Sequence, residues 1–353
     1  MADDLDDLIG RLWTAAMAGD HRAAAGAATA ALDDGLPVAD LLLDVLAPVQ
    51  RKVGDAWAAD EVTVAQEHIV TGVGERVLAA AARHPAARRR HTGDRGRAAV
   101  ACVDGEWHAF PARLLAEVLR LDGWRVDYLG PSVPTPYLRI HAHEADTDVV
   151  LLSASLCTRL PAAREAIAAC AETGRPVLAG GPAFGAAGRY ARLLGAAGWA
   201  ADGGDTARRL AEGPPYGTIA WGERPPLPDA GEHARLGRMA GGLADAVMWR
   251  LGERVPALAA CDARRLEQVR QGAGELVDFL LMSLYVRDRA LFSGYLRWAA
   301  DVLAARGVPR ESLPAALDAL AAELKAHPRA LDTLEHGQET LRRPGGDEPG
   351  RGR

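Results

Sequence analysis

The stretch Val103-Asp104-Gly105-Glu106-Trp107-His108-Ala109-Phe110-Pro111 decides how the chain is organised. It overlaps the end of a short apolar run, residues 98–103, that is typical of a buried strand, and a helical pattern begins at Pro111. His108 is therefore expected on the loop at the carboxyl end of a first strand, which is where open α/β sheets bind ligands. Glu106 stands two positions earlier, where its carboxylate can orient the imidazole.

Strand-like and helical patterns alternate over residues 98–212, which predicts a parallel, doubly wound sheet. Strands are predicted at residues 98–103, 125–129, 149–153 and 177–180, with a fifth near Ala200. The helices between them are predicted at residues 111–121, 135–144, 161–172 and 187–197. No Gly-x-Gly-x-x-Gly follows the first strand, so a nicotinamide dinucleotide is not expected there.

Helical patterns flank this sheet domain on both sides. Four helices with short connections indicate a four-helix bundle over residues 1–84; they are predicted at residues 4–19, 22–34, 39–58 and 63–84. A C-terminal all-α domain is predicted over residues 233–341, with patterns at 276–306 (interrupted at 286–289), 313–326 and 329–341. An exposed basic linker (residues 85–97) and a proline-rich linker (residues 213–232) separate the domains, and residues 342–353 are expected to be a disordered tail. The predicted fold class is multidomain, α and α/β.

Composition excludes several classes of protein. The net charge of −6 over 353 residues argues against a nucleic-acid binder. The four cysteines lack CxxC or CxxH spacing, so neither a zinc finger nor a disulfide framework is expected. The acidic N-terminus does not resemble a signal peptide, and no apolar run reaches the ~18 residues of a membrane span. We therefore expect a cytoplasmic protein without a membrane partner.

Three groups of residues could carry chemistry, and each has a plainer alternative. Trp57, Glu67 and His68 could edge one site on the bundle, or they are a core tryptophan and two solvated polar residues. His108 suits a metal whose other ligands come from a macrocycle, or it is a loop histidine without a ligand. Small residues at the ends of the third and fourth strands leave room for a polar, nucleotide-like group, or they are ordinary turn residues: Ser153, Ser155, Gly180 and Gly181.

Taken together, Trp-x9-Glu-His, Glu-x-His-x-x-Pro, Ser-x-Ser and Gly-Gly resemble the cobalamin-binding module of adenosylcobalamin-dependent photoreceptors. Those proteins are light-responsive repressors whose module is related to that of methionine synthase. The resemblance covers residues 1–212 and implies that His108 replaces the cofactor's own base below cobalt. Glu106 would support His108, and Trp107 would contact the cofactor. The displaced nucleotide tail would enter the sheet beside Ser153, Ser155, Gly180 and Gly181.

The same resemblance assigns the upper face of the cofactor to the bundle. Trp57 would pack against the adenosyl group, and Glu67 and His68 would contact it. The family's histidine directly after the tryptophan, a cobalt ligand after illumination, is Ala58 here, so a bis-histidine product from that position is not expected. The family's glycine after His-x-x is Pro111, which suits the first turn of a helix. The repressors' DNA-binding half has no counterpart before the bundle, so direct DNA binding is not expected.

In the C-terminal domain, residues 285–298 mix arginines with aromatic side chains. Guanidinium groups bind carboxylates and rings stack on planar ligands, although the pattern also fits an amphipathic helix pair. With the domain order, it resembles the photocobilins, whose globin-like domain binds biliverdin. That resemblance implies propionate contacts from Arg287, Arg289 and Arg297. It also implies that the pigment is lined by Tyr285, Phe292, Tyr295 and Trp298. Cys261 is the one cysteine of this domain that could form a covalent link to the pigment.

These inferences predict a non-enzymatic photoreceptor that binds adenosylcobalamin through His108, together with biliverdin. Light-driven loss of the adenosyl group would change conformation or assembly, acting through a homo-oligomer, with a dimer expected, or through a separate effector. The rival is a corrinoid protein that shuttles methyl groups between methyltransferases, against which the bulky Trp57 and the extra domain count. A haem-binding globin ranks below the bilin, because His233, His327 and His336 are expected near helix ends or in loops.

Overall fold

The computed structural model describes residues 2–87, 95–213 and 230–342. Most of both predicted linkers, including the arginine run 88–90, and nearly all of the predicted tail lie outside the described residues. The chain divides into two compact units, one formed by residues 1–57 and 61–225 and the other by residues 58–60 and 226–353.

The N-terminal part of the first unit is helical. Its helices are α1 (Ala2–Met17), α2 (His21–Asp33), α3 (Val38–Asp40), α4 (Ala47–Ala58) and α5 (Val64–Arg83). They share one apolar core that also includes three side chains from the sheet domain: Phe110, Leu114 and Val118. The bundle and the sheet domain therefore pack through a common core within one unit.

The predicted third helix, residues 39–58, is interrupted by a π-helical segment, Leu41–Leu46, between α3 and α4. Pro48 follows directly and has no N–H to donate to a preceding carbonyl, and wide π turns often occur where the regular hydrogen-bond ladder is broken. The wider turn keeps its apolar side chains on the buried face, where Leu41, Leu42, Val45 and Leu46 are at most 1% exposed.

The second part of the first unit is a five-stranded parallel sheet, as the alternating pattern predicts. The strands are β1 (Arg97–Cys102), β2 (Arg125–Gly130), β3 (Val149–Ser153), β4 (Val177–Gly180) and β5 (Gly198–Ala200). The helices are α6 (Phe110–Leu121), α7 (Thr135–Glu144), α8 (Leu160–Glu172), α9 (Arg189–Leu194) and α10 (Gly203–Ala211). The strand order is β2-β1-β3-β4-β5, so the chain reverses direction across the sheet between β1 and β3. Ligands bind at such a switch point, outside the carboxyl ends of the strands.

The described part of the second unit is helical. Its helices are α11 (Ala230–Gly237), α12 (Ala240–Arg254), α13 (Ala263–Val286), α14 (Arg289–Ala305), α15 (Ser312–Glu323) and α16 (Pro328–Arg342). The break predicted at residues 286–289 is present, with Arg287 in the left-handed region at φ 51°. Among the described helices, none is both long and apolar enough to cross a membrane.

Candidate functional site

The His108 loop joins β1 to α6 on one side of the switch point. Gly105 adopts a φ of +76°, and its N–H donates to Ser132 Oγ at 3.0 Å. The Glu106 carbonyl accepts the Ser132 N–H at 2.9 Å, so these two hydrogen bonds connect the loop after β1 to the loop after β2. Pro111 stands in the first turn of α6, which forms in spite of the missing glycine.

Glu106 is the central polar group of this loop. Its side chain is fully buried. One carboxylate oxygen lies 2.6 Å from His108 Nδ1 and accepts the His108 N–H at 2.9 Å. The other accepts the N–H groups of Ser155 at 2.7 Å and Leu156 at 3.2 Å. The carboxylate thus joins the loop after β1 to the loop after β3, across the switch point.

The environment keeps Glu106 ionised. Burial acts to raise its pKa, but the hydrogen bonds from the His108 ring, the His108 N–H and the Ser155 N–H outweigh burial and lower the pKa to about 2. A charged acceptor fixes Nδ1 as the protonated nitrogen of His108. Nε2 is then the ring atom with a free lone pair when the imidazole is neutral.

The His108 side chain is accessible at the end of this loop. It is 57% exposed although the His108 backbone is tied down. The Glu106 hydrogen bond raises its pKa most, burial lowers it, the Glu67 charge raises it, and the Arg159 charge lowers it. Glu67 belongs to α5, so the bundle lies within electrostatic reach of His108.

The packing of α5 brings Glu67 close enough to affect the pKa of His108. A Cβ added at Gly74 would lie 3.2 Å from the Phe110 ring, so α5 and the start of α6 are in close contact there. Glu67 precedes Gly74 by two helical turns on the same face, about 10 Å along the axis. A capping box formed by Thr63 and Gln66 begins α5 and puts Glu67 in its first turn.

The other predicted upper-face residues lie on the same part of the bundle. Glu67 Oε2 lies 2.5 Å from His68 Nδ1, and Glu67 Oε1 accepts the Thr71 hydroxyl at 3.0 Å. The His68 side chain is 75% exposed. Trp57 is half-buried and packs against the bundle core. The structure thus associates Glu67 with both His68 and His108, whereas Trp57 is anchored partly in the core, as the plainer alternative expects.

The predicted tail residues meet at the ends of β3 and β4. Ser153 pairs with Gly180 in the parallel register. A Cβ at Gly181 would lie 2.3 Å from the Ala154 carbonyl oxygen, and its φ is +103°, so only glycine fits there. Ser153 is 8% exposed, and the Ser155 N–H is taken by Glu106. The small residues therefore allow close backbone approach beside the Glu106 carboxylate.

Three residues near the loop were not identified from the sequence. The Cys102 thiol and the Tyr128 hydroxyl donate to carbonyls of the loop, those of His108 at 4.0 Å and Ala109 at 3.4 Å. Burial raises the pKa of each group to about 12, so both stay protonated donors. Arg159 follows the Ser155 loop and is discussed below. A cysteine at the end of a strand and an arginine at the start of a helix carry no distinctive sequence signal.

Two of the aromatic residues predicted to contact a pigment in the second unit, Tyr295 and Trp298, are in contact with each other. The Tyr295 ring lies 6.0 Å from Trp298 and stacks on Phe279 at 3.9 Å. Phe292 is fully buried and Tyr295 is 5% exposed, so both are core residues, whereas Trp298 is 40% exposed.

The predicted propionate ligands of the second unit are arginines on its surface. Arg287 and Arg297 are exposed. Arg289, also exposed, forms an ion pair with Asp332 at 2.9 Å. Cys261 is half-buried, and its thiol lies 3.8 Å from the Ala257 carbonyl oxygen.

The expectation that the histidines of this unit lie near helix ends or in loops is wrong for His336. His233 is half-buried inside α11, with its ring 5.1 Å from that of Tyr285. His336 lies in the middle of α16. The buried carboxylate of Glu232, which precedes His233 in α11, accepts the Ala330 N–H at 3.1 Å. A contact between residues 98 positions apart has no local sequence signal. His327 does precede α16 directly.

Two segments of the chain match family models that share one description. Residues 96–211 match a B12 binding domain, and residues 8–81 match a second B12 binding domain model. The first unit therefore carries a cobalamin-binding module, made of a helical part and a Rossmann-like part.

One solved structure shows the same fold over more than half of the chain. The monomethylamine corrinoid protein of Methanosarcina barkeri is similar over 59% of this chain and 98% of its own, with a TM-score of 0.52 and 19% identity. The methanol:cobalamin methyltransferase complex of Methanosarcina barkeri matches at 18% identity, over 59% of this chain and 79% of that one, with a TM-score of 0.31. A cobalamin-binding protein of Desulfitobacterium hafniense matches at 19% identity, over 58% and 97%, with a TM-score of 0.33. No curated protein matches the sequence.

Proposed function

We propose that this protein is a cobalamin-dependent light sensor that holds adenosylcobalamin between His108 and the bundle. The observation that carries the proposal is the electrostatic contact of Glu67 with His108, together with the packing of α5 on Phe110. The bundle therefore lies close to an exposed imidazole whose Nδ1 is fixed by a buried carboxylate.

The residues present fit the cofactor. One oriented imidazole is the protein ligand that cobalt would need when a corrin ring supplies four nitrogen ligands. The glycine at position 181 and the small residues around it allow close approach at the switch point, where a nucleotide-like tail would enter. Ser153 and Ser155 would then contact the tail, and Trp107, which is 72% exposed beside His108, would contact the ring.

Bound adenosylcobalamin supplies a cobalt–carbon bond that visible light breaks. The role of the chain is to sense what fills the space on the bundle side of His108. Trp57, Glu67 and His68 would contact the adenosyl group in the dark and lose that contact after illumination. Because α5 shares its core with α6, a change at Glu67 would alter the packing at Gly74 and Phe110. We propose that this altered packing changes the assembly of the protein or its binding of an effector.

The second candidate is a corrinoid protein that carries methyl groups between methyltransferases. The fold of the monomethylamine corrinoid protein favours it, since 98% of that chain is covered. The match covers 59% of the present chain, however, so the rest of the chain has no counterpart in that protein. A bulky Trp57 and the Glu67–His68 pair also suit an adenosyl group better than a methyl group that must stay open to a partner enzyme.

For the helical unit we propose a second pigment. A bilin is favoured by Trp298 exposed beside Tyr295, with Arg287 and Arg297 as exposed partners for propionates. A haem is favoured by His233, because it is half-buried and burial lowers its pKa, which keeps the imidazole neutral for iron. Biliverdin remains the first choice, because the exposed arginines and Trp298 suit an open tetrapyrrole.

Illumination tests the light-sensor proposal directly. Protein loaded with adenosylcobalamin in the dark should change its sedimentation or its small-angle scattering under green light, and protein loaded with methylcobalamin should respond less. Trp57→Ala should abolish the structural response while leaving His108 ligation intact. Tight binding of cobalamin with no structural response to light, and with methyl transfer to an added thiol in the dark, would support the shuttle instead.

A further inference from the structure

We propose that Arg159 binds the anionic phosphodiester in the nucleotide tail of cobalamin, and so selects complete cobalamin over corrinoids that lack this tail. The inference rests on cobalamin binding as proposed above. It concerns a residue that follows the Ser153–Leu156 loop and precedes α8, on the same edge of the sheet as His108.

The position of the guanidinium group is fixed by its contact with the His108 loop. Arg159 ends a short 3-10 turn, Cys157–Arg159, and its side chain reaches back across the edge of the sheet. A Cβ added at Gly105 would lie 2.8 Å from one terminal nitrogen of the guanidinium group and 3.2 Å from its central carbon. The group therefore lies flat against a glycine of the loop that carries His108.

The hydrogen-bonding capacity of Arg159 is not used by its neighbours. Its Nε atom is buried and has no hydrogen-bond partner. Within residues 2–87, 95–213 and 230–342, no carboxylate forms an ion pair with this guanidinium group. A partly buried cation with an unsatisfied N–H is costly unless an anion joins it.

The buried carboxylate of the neighbouring loop, Glu106, does not pair with Arg159. Both oxygens of Glu106 are taken by His108, Ser155 and Leu156. Arg159 instead lies within electrostatic reach of His108, so its charge stands at the edge of the sheet where the lower face of the cofactor is expected.

Among the groups that cobalamin carries, only the phosphodiester is anionic. The side-chain amides of the corrin ring are neutral. Guanidinium groups bind phosphate oxygens through paired N–H donors, and such charge-assisted bonds are about twice as strong as neutral ones. An arginine beside the proposed entrance for the tail is therefore suited to the phosphate. Ser153 and Ser155 are neutral hydroxyls and cannot balance its charge.

Two ligands separate this role from a structural one. Adenosylcobinamide keeps the corrin ring, cobalt and adenosyl group but lacks the nucleotide and its phosphodiester. Affinities of the full-length protein for adenosylcobalamin and adenosylcobinamide would be measured for the wild type, for Arg159→Met and for Arg164→Met. The last is a matched control, because it removes the same charge from the body of α8.

Arg159→Met should weaken adenosylcobalamin binding about tenfold or more, the value of one charge-assisted hydrogen bond. Its affinity for adenosylcobinamide should stay within about twofold of the wild type, as should both affinities of Arg164→Met. Arg159→Lys should retain part of the preference, because it keeps the charge but not the planar pair of donors. Thermal unfolding of the ligand-free variants shows whether they are folded.

Equal losses for both ligands, or no loss for adenosylcobalamin, would overturn the assignment. A lower melting temperature of ligand-free Arg159→Met with equal losses would show that the residue only supports Gly105. A wild type that binds neither ligand would instead refute the proposed function itself, so the two failures are distinguishable.

Discussion

Glu106 holds His108 at Nδ1 with a hydrogen bond of 2.6 Å, and its other carboxylate oxygen is bound to the backbone beyond β3. One buried charge therefore orients the imidazole and joins the two loops at the switch point. The arrangement predicts that losing the charge harms the fold and the ligand site together.

Glu106→Gln replaces one accepting oxygen by an NH2 group. That group would face N–H donors of His108 or Ser155, leaving buried donors unpaired. We expect a loss of roughly 3 kcal/mol in the free energy of unfolding at pH 7, which follows from a pKa lowered from 4.5 to about 2. Chemical denaturation measures the loss, and Glu165→Gln, a change at an exposed carboxylate of α8, is the control. Equal stability of the Glu106 variant and the wild type would contradict the assigned bonds.

The same pair predicts a dependence of stability on pH. Because the folded pKa of Glu106 is depressed, its contribution is present above the unfolded value near 4.5 and is lost as pH falls towards 2. The pKa of His108 is raised, so its contribution is full below 6.5 and declines as pH rises through the folded value. The difference in melting temperature between wild type and Glu106→Gln should therefore shrink from pH 6 to pH 3. A constant difference would show that the carboxylate is not the source of the stability.

Gly181→Ala tests the close approach of β3 and β4. Its Cβ would lie 2.3 Å from the Ala154 carbonyl oxygen, and this steric clash can be relieved only if the ends of the two strands move apart. We expect a cost above about 3 kcal/mol. Gly174→Ala is the matched control, because Gly174 has a φ of +74° but nothing within 4 Å of an added Cβ, and it should cost about 1 kcal/mol. A similar loss of stability in the two variants would mean that the positive φ alone, and not the close approach of the strands, requires glycine at position 181.

Packing between the bundle and the sheet domain is tested at Gly74. Gly74→Leu would push α5 away from the Phe110 ring and so move Glu67 relative to His108. Affinity for adenosylcobalamin should fall at least tenfold, since several upper-face contacts depend on that packing. Gly72→Leu lies on the open side of the same helix, where an added Cβ meets nothing within 4 Å, and should leave the affinity unchanged. Isothermal titration calorimetry of both variants with adenosylcobalamin measures the two affinities.

Two variants discriminate between pigments of the helical unit. Trp298→Ala should reduce biliverdin affinity roughly tenfold, because one aromatic ring that stacks on the pigment is lost. Haem binding should stay nearly unchanged. His233→Ala should abolish haem binding and spare biliverdin. Absorption titrations with each pigment provide the measurement, and unchanged affinities of both variants for both pigments would remove the pigment proposal.

Local patterns predicted much of the fold. The alternation of strand and helix patterns predicted the parallel sheet. The loop after β1 was predicted from Glu106 and His108, whose side chains form a hydrogen bond although they are only two positions apart in the sequence. The π segment was missed because a leucine-rich face looks the same in either helix type. Arg159 was missed because its value depends on Gly105, 54 residues earlier in the chain. The hydrogen bond between Glu232 and the Ala330 N–H joins residues 98 positions apart, so no local pattern predicts it.

Ligation of cobalt by His108 is the central claim, and electron paramagnetic resonance tests it most directly. Protein labelled uniformly with nitrogen-15 would be loaded with unlabelled cobalamin, and the cobalt reduced to the divalent state. Coordination by His108 predicts that each resolved cobalt line is split into a doublet, and that His108→Ala lacks this splitting. Triplet splitting in the wild type, from a nitrogen of the cofactor's own base, would contradict the account.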